Sequence, residues 1–467
     1  MYQYNFNSIN LESAFKLNIQ QESALTLIIN DFIESEYHQI FTLTGYAGTG
    51  KTSIIGLVEQ YLYQKQKALV FASPSHKANI ILRSKVSSDV PIFTIHKLLK
   101  LKPQLQLEDF DLDKLEFQLD KKGLQEEEDL LPDYIIFEES SMINDDLYKF
   151  IIDELVGSSR DSPPVVDKGV KVIFMGDSSQ LRPVKQLTRS KCLISPLSYQ
   201  LTLVERTNSP AILNLLNLIR NNEKIILEDN EDYKFTNSLK TFKDYGLEKF
   251  KLLQDDEYAC RVICGTNTRV NFWNDYFHKN LFEGSDREYN VGELILSYKG
   301  SYSKFCNSME AVISKIEDTY FIFDDIPYRG YNITLTNGGS IKVLSENNDF
   351  SKIPAYIKTL PYIKNYKFKG KNVSKVMWGD YYSFLNEYFF PVNIKDEDNK
   401  VVIKRGIDYG YAITTHKSQG STYTNAMVDL VSFKPFLRDK ENYFEMLYVA
   451  FSRVSESFIG YSTKYRR

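Results

Sequence analysis

The sequence predicts an α/β protein built on parallel β-sheets, because short apolar, β-branched runs alternate with helix-like segments. In the N-terminal half these runs cover residues 40–44, 67–72, 133–137 and 171–175, and each is followed by a cluster of small or polar residues. Open α/β sheets bind their ligands at the carboxyl ends of the strands. The clusters therefore predict a ligand site along one edge of the sheet.

A second α/β set begins later and has a different sequence texture in its middle. Its strand-like runs lie at 259–267, 411–422 and 425–430, and a helix-like segment covers 441–453. Between them ELILSY, TYFIF, YNITLT and SIKVLS are separated by Gly, Asn and Asp, which predicts a small antiparallel β insertion. The predicted segments are a first α/β domain at 1–99 and 132–190, an insertion at 100–131, a second α/β domain at 191–290 and 405–467, and a β-rich insertion at 291–404.

The composition fits a globular protein of several domains. The chain has 467 residues, 43% hydrophobic and 25% charged, which excludes a wholly disordered or fibrous protein. The net charge of −4 disfavours a protein that coats duplex nucleic acid, but it averages opposed regions. Residues 108–129 include ten acidic residues and three lysines, whereas residues 352–375 include seven lysines, no acidic residue and four aromatic residues. Solvated surface explains both runs, and contact of the basic run with a polyanion is the alternative.

Targeting and redox features are those of a cytoplasmic protein without membrane contact. The N-terminal residues have no basic start followed by an apolar core, and no stretch reaches the roughly 18 apolar residues of a membrane span. The cysteines Cys192, Cys260, Cys264 and Cys306 form no CxxC pair and no zinc-site spacing. We expect them to be reduced and buried.

Residues Gly45 to Thr52, GYAGTGKT, carry the strongest local signal. They match the phosphate-binding pattern G-x-x-x-x-G-K-[ST] after a predicted strand and before a predicted helix. The glycines let backbone N–H groups converge on phosphate oxygens, and the helix N-terminus adds its positive dipole end. Lys51 is predicted to reach the β- and γ-phosphates and Thr52 to bind Mg²⁺. The predicted nucleotide-binding set also includes Gly45, Gly48, Thr49, Gly50 and Ser53. A chance glycine-rich turn is the alternative.

Three further clusters complete a nucleotide-hydrolysing site. Glu138 and Glu139 follow the strand run 133–137, so Glu138 is predicted to hold Mg²⁺ and Glu139 to activate the attacking water. A capping or surface acid pair is the alternative. Gln180 in GDSSQ is a candidate sensor of the γ-phosphate. Arg453 in YVAFSR is a candidate arginine finger, with an ordinary helix-end arginine as its alternative.

Taken in order, these motifs resemble those of the superfamily 1 helicases of the 1B branch, the Dda/RecD-like group. GYAGTGKT resembles motif I, FEESSM motif II, GDSSQLRPV motif III, LVERT with Arg206 motif IV, THKSQGST motif V and YVAFSR motif VI. Gln21 in QQESAL resembles the glutamine that reads adenine, SPSHKA resembles motif Ia and FTIHKLL motif Ib. The resemblance runs from Gln21 to Arg453. Glu138 departs from the aspartate usual in motif II, which puts the metal geometry in doubt.

The resemblance implies two RecA-like domains that close on ATP, with Lys51, Glu139 and Gln180 on one side and Arg206 and Arg453 on the other. It adds Gly420 of motif V to the nucleotide site. It implies an SH3-like barrel at 291–404 and a strand-splitting pin at 100–131. Phe110 or Phe117 would be the wedge of that pin, and a plain helix is the rival structure. The implied contacts to single-stranded DNA are Pro74, His76, Thr94, His96, Thr414 and His416.

The function implied is an ATP- and Mg²⁺-dependent DNA helicase that moves 5′ to 3′ on single-stranded DNA and unwinds forks or duplexes in replication, recombination or repair. A monomer in the cytoplasm of a bacterial or phage-infected cell is expected, with a single-strand-binding or replisome protein as a candidate partner. The alternatives are a translocase that displaces proteins and unwinds poorly, and a P-loop ATPase that needs no nucleic acid. The sequence has no acidic cluster outside the nucleotide site that would support a nuclease subunit. RNA remains an alternative to DNA as the track.

Overall fold

The chain folds into two compact units. The computed structural model describes residues 1–99, 101–103, 117–119, 132–156, 169–184, 186–223, 225, 228–299, 305–354, 356, 383–396 and 398–463. The first unit comprises residues 1–226 and 436–453, and the second comprises residues 227–435 and 454–467. No helix in these described stretches is long and apolar enough to cross a membrane.

The strands are β1 Tyr2–Phe6, β2 Ile9–Ser13, β3 Ile40–Gly45, β4 Leu69–Ser73, β5 Ile92–Thr94, β6 Leu101–Pro103, β7 Phe117–Leu119, β8 Tyr134–Phe137, β9 Lys171–Gly176, β10 Ser198–Leu201, β11 Tyr233–Thr236, β12 Cys260–Cys264, β13 Leu294–Ser297, β14 Glu310–Phe323, β15 Ile326–Leu335, β16 Ser340–Leu344, β17 Tyr388–Phe389, β18 Ile394–Lys395, β19 Val401–Ile403, β20 Ile407–Tyr409, β21 Ala412–Thr414, β22 Tyr423–Asp429 and β23 Val454–Tyr461. The α-helices are α1 Ile19–Leu27, α2 Lys51–Gln64, α3 His76–Arg83, α4 Ile95–Leu98, α5 Asp145–Ile151, α6 Pro210–Arg220, α7 Leu239–Lys249, α8 Asn267–Leu281, α9 Thr415–Ser418 and α10 Lys440–Phe451. Short 3₁₀ segments cover Ser140–Met142, Lys191–Leu193, Phe250–Gln254 and Leu430–Arg438, and π-helical turns cover Ile28–Ile33 and Ile152–Val156.

The first unit is built on a six-stranded sheet in the order β10-β3-β9-β8-β4-β5, with every pair parallel. Successive residues of its central strands enter two different cores. Ile136 and Ile173 pack into one, whereas Phe137 and Phe174 pack into the other. Because both faces of a parallel sheet are covered, its strands are apolar throughout rather than alternating. The predicted strand runs of this half are confirmed.

The second unit is built on a five-stranded parallel sheet in the order β11-β23-β22-β12-β21. All five residues of β12 are buried, as a central parallel strand requires. Trp273 on α8 is fully buried and stacks on Phe277 of the same helix. The prediction of two α/β domains with parallel sheets is confirmed.

The β insertion of the second unit is a six-stranded sheet in the order β17-β16-β15-β14-β13-β20. Its long hairpin pairs β14 with β15 from Phe323↔Ile326 back to Ile313↔Leu335, with one bulge. The four strand runs predicted between 291 and 404 coincide with β13 to β16 and are confirmed. The sheet continues through β20, past the predicted end at 404. Closure into an SH3-like barrel stays a prediction.

Two predicted domain boundaries are wrong. The first domain was expected to end at 190, but β10 pairs in parallel with β3, so the first unit extends to about 226. Residues 405–467 were all assigned to the second domain, but residues 436–453 belong to the first unit. The physical reason is packing: α10, although it lies between β22 and β23 in sequence, packs on α6 of the first unit.

The insertion at 100–131 lies mostly outside the described residues. The backbone of β7 pairs antiparallel with β6, and Phe117 stands opposite Pro103. The segment that pairs with β7 is thus 101–103, close to the start of the insertion. Phe110 lies outside the described residues. The wedge role of Phe110 or Phe117 stays a prediction. The basic run at 352–375 likewise lies almost entirely outside the described residues.

Candidate functional site

The glycine-rich loop Gly45–Gly50 turns β3 into α2 in the first unit. Gly48 and Gly50 both have φ of +80°, a conformation that side chains with a Cβ rarely adopt. A Cβ on Gly48 would come within 2.3 Å of the Arg206 Cβ, so the glycine also admits a neighbouring backbone. The Thr49 hydroxyl donates to the Tyr46 carbonyl at 2.9 Å and holds the loop closed. Ser53 lies in the first turn of α2, next to the loop.

Lys51 and Gln21 are both bonded to this loop. Lys51 Nζ donates to the carbonyls of Gly45 at 2.7 Å and Tyr46 at 3.2 Å. Gln21 Nε2 donates to the Thr49 carbonyl at 3.1 Å, while its Oε1 accepts the Asn18 N–H at 3.0 Å in a capping box. The amide predicted to read adenine therefore bonds the phosphate loop at one end and the start of α1 at the other.

The two acids after β8 are placed differently, as their predicted roles require. Thr52 Oγ1 donates to Glu138 Oε1 at 2.8 Å, so a hydroxyl and a carboxylate oxygen meet where Mg²⁺ is predicted. Glu139 adopts a left-handed backbone conformation, φ 50° and ψ 40°, which costs about 1–3 kcal/mol outside glycine. Burial raises the pKa of Glu139, the Glu138 carboxylate raises it further, and Arg453 and Lys51 oppose that rise. Strain and a raised pKa are typical of a functional carboxylate.

Motif III, GDSSQLRPV, contributes residues to the same site. Gln180 is buried, and its Nε2 lies 3.4 Å from Asp177 Oδ2. Asp177 Oδ1 accepts the Ser179 N–H at 2.9 Å, so one carboxylate shapes the loop that carries the predicted γ-phosphate sensor. Asp177 Oδ2 also accepts the Tyr448 hydroxyl at 3.0 Å.

Both predicted arginines lie in the first unit. Arg453 lies two residues beyond the end of α10, is 1% exposed, and donates from Nε to the Val449 carbonyl at 3.1 Å. Arg206 Nη1 donates to the Ser452 carbonyl at 2.8 Å. Burial lowers the pKa of Arg206 to about 10, and the positive charge of Arg453 contributes. Arg453 was expected to come from the second domain, and that expectation is wrong because α10 packs in the first unit.

Sequence reasoning missed Tyr448 as a site residue, although it opens the quoted motif YVAFSR. Its hydroxyl accepts the Ala47 N–H at 3.0 Å and donates to Asp177 Oδ2 at 3.0 Å. A second missed contact is Arg220, whose guanidinium stacks 3.6 Å from the centre of the Tyr46 ring. Membership of a motif was the only sequence signal for Tyr448, and Arg220 had none.

The predicted DNA contacts of the first unit lie at adjacent strand ends. Ser73 of β4 pairs with Thr94 of β5, so motif Ia with Pro74 and motif Ib begin side by side. The Thr94 hydroxyl accepts the Lys97 N–H at 3.3 Å and caps α4. His76 is the first residue of α3. Burial lowers the pKa of His76, with Lys97 contributing, which keeps this imidazole neutral at physiological pH.

The second unit repeats this arrangement at the end of β21. Thr414 pairs with Cys264 of β12, and its hydroxyl accepts the Lys417 N–H at 3.3 Å and caps α9. The four-residue pattern Thr-x-His-Lys thus occurs at 94–97 and again at 414–417, each time capping a one-turn helix after the edge strand. Partial removal from water lowers the pKa values of His96 and His416, although part of the His416 side chain is exposed to solvent. Gly420, with φ of +76°, lies in this unit.

Comparison with known proteins finds relatives that align with most of the chain. The model of a family described as an AAA domain matches residues 16–241. The ATP-dependent DNA helicase Dda of Enterobacteria phage T4 is 25% identical, with 93% of this chain and 96% of Dda aligned. The family match and the similarity to Dda along nearly the whole chain support a Dda-like helicase of superfamily 1B.

Two further proteins resemble this helicase over most of its length. An uncharacterised protein of Acanthamoeba polyphaga mimivirus is 25% identical, with 88% of this chain and 92% of the viral protein aligned. The Pif1 helicase from Bacteroides, solved with ADP-AlF3 and single-stranded DNA, matches with a TM-score of 0.52 at 20% identity, covering 97% of this chain and 94% of Pif1. The match to Pif1 supports the fold of two parallel-sheet domains.

Proposed function

We propose that this helicase hydrolyses ATP in its first unit, moves 5′ to 3′ along single-stranded DNA and separates the strands of a duplex. The convergence of motifs I, II, III, IV and VI around one loop supports it most directly, because Tyr448, Arg206 and Glu138 each bond or contact the glycine-rich loop or α2. The direction of travel rests on the family resemblance alone.

The nucleotide would bind with its phosphates on the glycine-rich loop. Lys51 would exchange the carbonyls of Gly45 and Tyr46 for the β- and γ-phosphate oxygens. Glu139 would take a proton from the attacking water, and its raised pKa suits a base that must hold that proton transiently. Gln180, Arg206 and Arg453 would stabilise charge on the transferred phosphoryl group. Gln21 and Gly420 remain candidate nucleotide contacts.

The residues present fit a magnesium ion. Mg²⁺ prefers oxygen ligands, few protein carboxylates and several waters. The Thr52 hydroxyl and Glu138 carboxylate supply two oxygens 2.8 Å apart, beside the loop that would hold the phosphates. The longer glutamate reaches Thr52, which supports a metal role for it in place of the usual aspartate. When bound, the ion would neutralise developing phosphate charge.

The DNA strand would contact capped strand ends in each unit. Pro74, His76, Thr94 and His96 are the proposed contacts in the first unit, and Thr414 and His416 those in the second. In each unit the threonine oxygen accepts a backbone N–H, which leaves its hydroxyl hydrogen to donate to a phosphate. Contacts of this kind hold a strand without reading its sequence.

Other parts of the proposal rest on sequence. Residues 100–131, with Phe110 or Phe117, would split the duplex, and the lysines at 352–375 would contact DNA. We propose a monomer that works with a single-strand-binding or replisome protein in the cytoplasm of a bacterial or phage-infected cell. The four cysteines, all buried and unpaired, suit that compartment.

Lys51→Ala tests the nucleotide site. It should abolish DNA-stimulated ATP hydrolysis while single-stranded DNA still binds in a fluorescence anisotropy titration. The matched control is Lys240→Ala, which removes an exposed lysine that pairs with Asp244 one turn away and should leave hydrolysis unchanged. Hydrolysis that survives in Lys51→Ala would show that the proposed phosphate loop is not the catalytic one.

A further inference from the structure

Arg182, two residues beyond Gln180, makes an unusual number of ionic contacts for a loop residue. Its Nε lies 3.2 Å from Glu445 Oε2, and its Nη2 lies 2.9 Å from Asp439 Oδ2. Nη1 donates to the Leu187 carbonyl at 2.8 Å, and the Arg182 backbone N–H lies 3.4 Å from the same Glu445 oxygen. The arginine side chain is only 11% exposed and Glu445 is 5% exposed, so this ion pair is largely removed from water.

The partners of Arg182 belong to the helix that ends at the proposed arginine finger. Asp439 is the N-cap of α10, where it accepts the Asn442 N–H at 3.0 Å. Glu445, Tyr448 and Ser452 follow at spacings of three and four residues, which places them on one face of the helix. The Tyr448 hydroxyl bonds Asp177 of motif III, and the backbone carbonyl of Ser452, the C-cap, accepts a hydrogen bond from Arg206 of motif IV.

The motif III loop is therefore joined to α10 on both sides of Gln180. Asp177 bonds Tyr448 before it, and Arg182 bonds Glu445 and Asp439 after it. Since Arg453 lies only two residues beyond the end of α10, a shift of this helix along the loop would move its guanidinium away from the γ-phosphate position. Misplacement by about 1 Å can cost about 100-fold in rate.

We propose that Arg182 is a positioning residue that holds the helix of Arg453 in register with the loop of Gln180, so that the sensor and the arginine finger act together. This inference rests on the proposed nucleotide site. A buried ion pair adds little net stability compared with apolar side chains of the same volume, but its geometry fixes one alignment of two elements. Arg189 lies 3.6 Å from the other Glu445 oxygen and supports the same alignment.

A double-mutant cycle of Arg182→Ala and Arg453→Ala tests the coupling, with kcat and KM for ATP measured at saturating single-stranded DNA. Arg182→Ala should lower kcat about 10- to 100-fold and change the KM for ATP by less than about threefold. In the Arg453→Ala background the same change should lower kcat by less than about twofold, because the group it positions is already gone. Equal losses in both backgrounds, or no loss in the parent protein, would overturn the proposal.

Two further variants separate positioning from folding. Arg182→Ala leaves the buried Glu445 carboxylate with Arg189 and the backbone N–H of residue 182 but without the Arg182 guanidinium, so we expect the variant to lose stability. Adding Glu445→Gln removes that charge, and we expect the double variant to regain its melting temperature but not its kcat. Recovery of kcat together with stability would show a purely structural role. Arg287→Ala, which breaks an exposed pair 3.6 Å from Asp318 in the second unit, is the arginine control and should change neither quantity.

The cycle also distinguishes failure of this inference from failure of the proposed function. If Arg453→Ala leaves kcat unchanged, Arg453 is not an arginine finger, and both the site assignment and the coupling are wrong. If Arg453→Ala lowers kcat and Arg182→Ala adds an independent loss, the site assignment stands and the coupling alone is wrong.

Discussion

Tyr448→Phe removes a single oxygen atom that joins three motifs. In the parent protein this hydroxyl accepts the Ala47 N–H of the glycine-rich loop and donates to Asp177, both at 3.0 Å. Burial raises the pKa of Tyr448 above its ordinary value, and the nearby Asp177 carboxylate contributes. The hydroxyl therefore stays protonated, and able to donate, over the working pH range.

The size of the effect of Tyr448→Phe depends on which partner group, the Ala47 N–H or the Asp177 carboxylate, is left without a hydrogen bond. Asp177 keeps the Ser179 N–H at 2.9 Å and the more distant Gln180 amide. The Ala47 N–H, in a residue that is 6% exposed, is left without an acceptor. One buried unsatisfied donor costs about 1–3 kcal/mol, which corresponds to about 5- to 150-fold in the opening equilibrium of the loop.

Amide hydrogen exchange across the glycine-rich loop measures this opening directly. We expect exchange at Ala47 to accelerate by about that factor in Tyr448→Phe, with a parallel fall in kcat for ATP hydrolysis. Tyr443→Phe is the matched control on α10, because its hydroxyl makes no hydrogen bond to the part of the chain that the structure describes. Unchanged exchange at Ala47 in Tyr448→Phe, or equal acceleration in the control, would refute the reasoning.

Three other changes have defined outcomes. Glu139→Gln should abolish ATP hydrolysis but retain nucleotide binding measured by calorimetry. In the parent enzyme kcat should fall as the pH drops through the raised pKa of Glu139, because the carboxylate then becomes protonated. Full hydrolysis by the variant would exclude this residue as the base. Gly48→Ala should lower kcat/KM for ATP at least about tenfold, because the new Cβ lies 2.3 Å from the Arg206 Cβ. The control Gly56→Ala, whose new Cβ has no neighbour nearer than 4.0 Å, should be neutral or stabilise the fold by up to about 1 kcal/mol. Similar losses of activity in both variants would contradict the predicted clash. Replacing the seven lysines at 352–375 with glutamine should flatten the salt dependence of DNA binding, and an unchanged slope would indicate plain solvated surface.

Local patterns predicted the sheets and the nucleotide loop well. The apolar strands β3, β8 and β9 and the loop Gly45–Thr52 lie where the sequence placed them, because burial on both faces and phosphate binding restrict residue types at short range. By contrast, β10 is the short sequence SYQL, in which two of four residues are exposed and no apolar run is present. Its pairing with β3 could not be predicted from local composition, and the domain boundary moved as a result.

Long-range side-chain contacts were beyond the reach of sequence patterns. Arg182 and Glu445 are 263 residues apart, and Asp177 and Tyr448 are 271 residues apart. Nothing in GDSSQLRPV or YVAFSR alone indicates that these motifs bond each other. The same contacts place α10 in the first unit, although the sequence between β22 and β23 suggested the second.

Unwinding of forked DNA that carries only a 5′ or only a 3′ single-stranded tail tests the central proposal most directly. We predict ATP-dependent strand separation on the 5′-tailed fork, little or none on the 3′-tailed fork, and none on either with Lys51→Ala. DNA-stimulated ATP hydrolysis without unwinding of either fork would indicate a translocase. ATP hydrolysis that does not respond to DNA would contradict the helicase function itself.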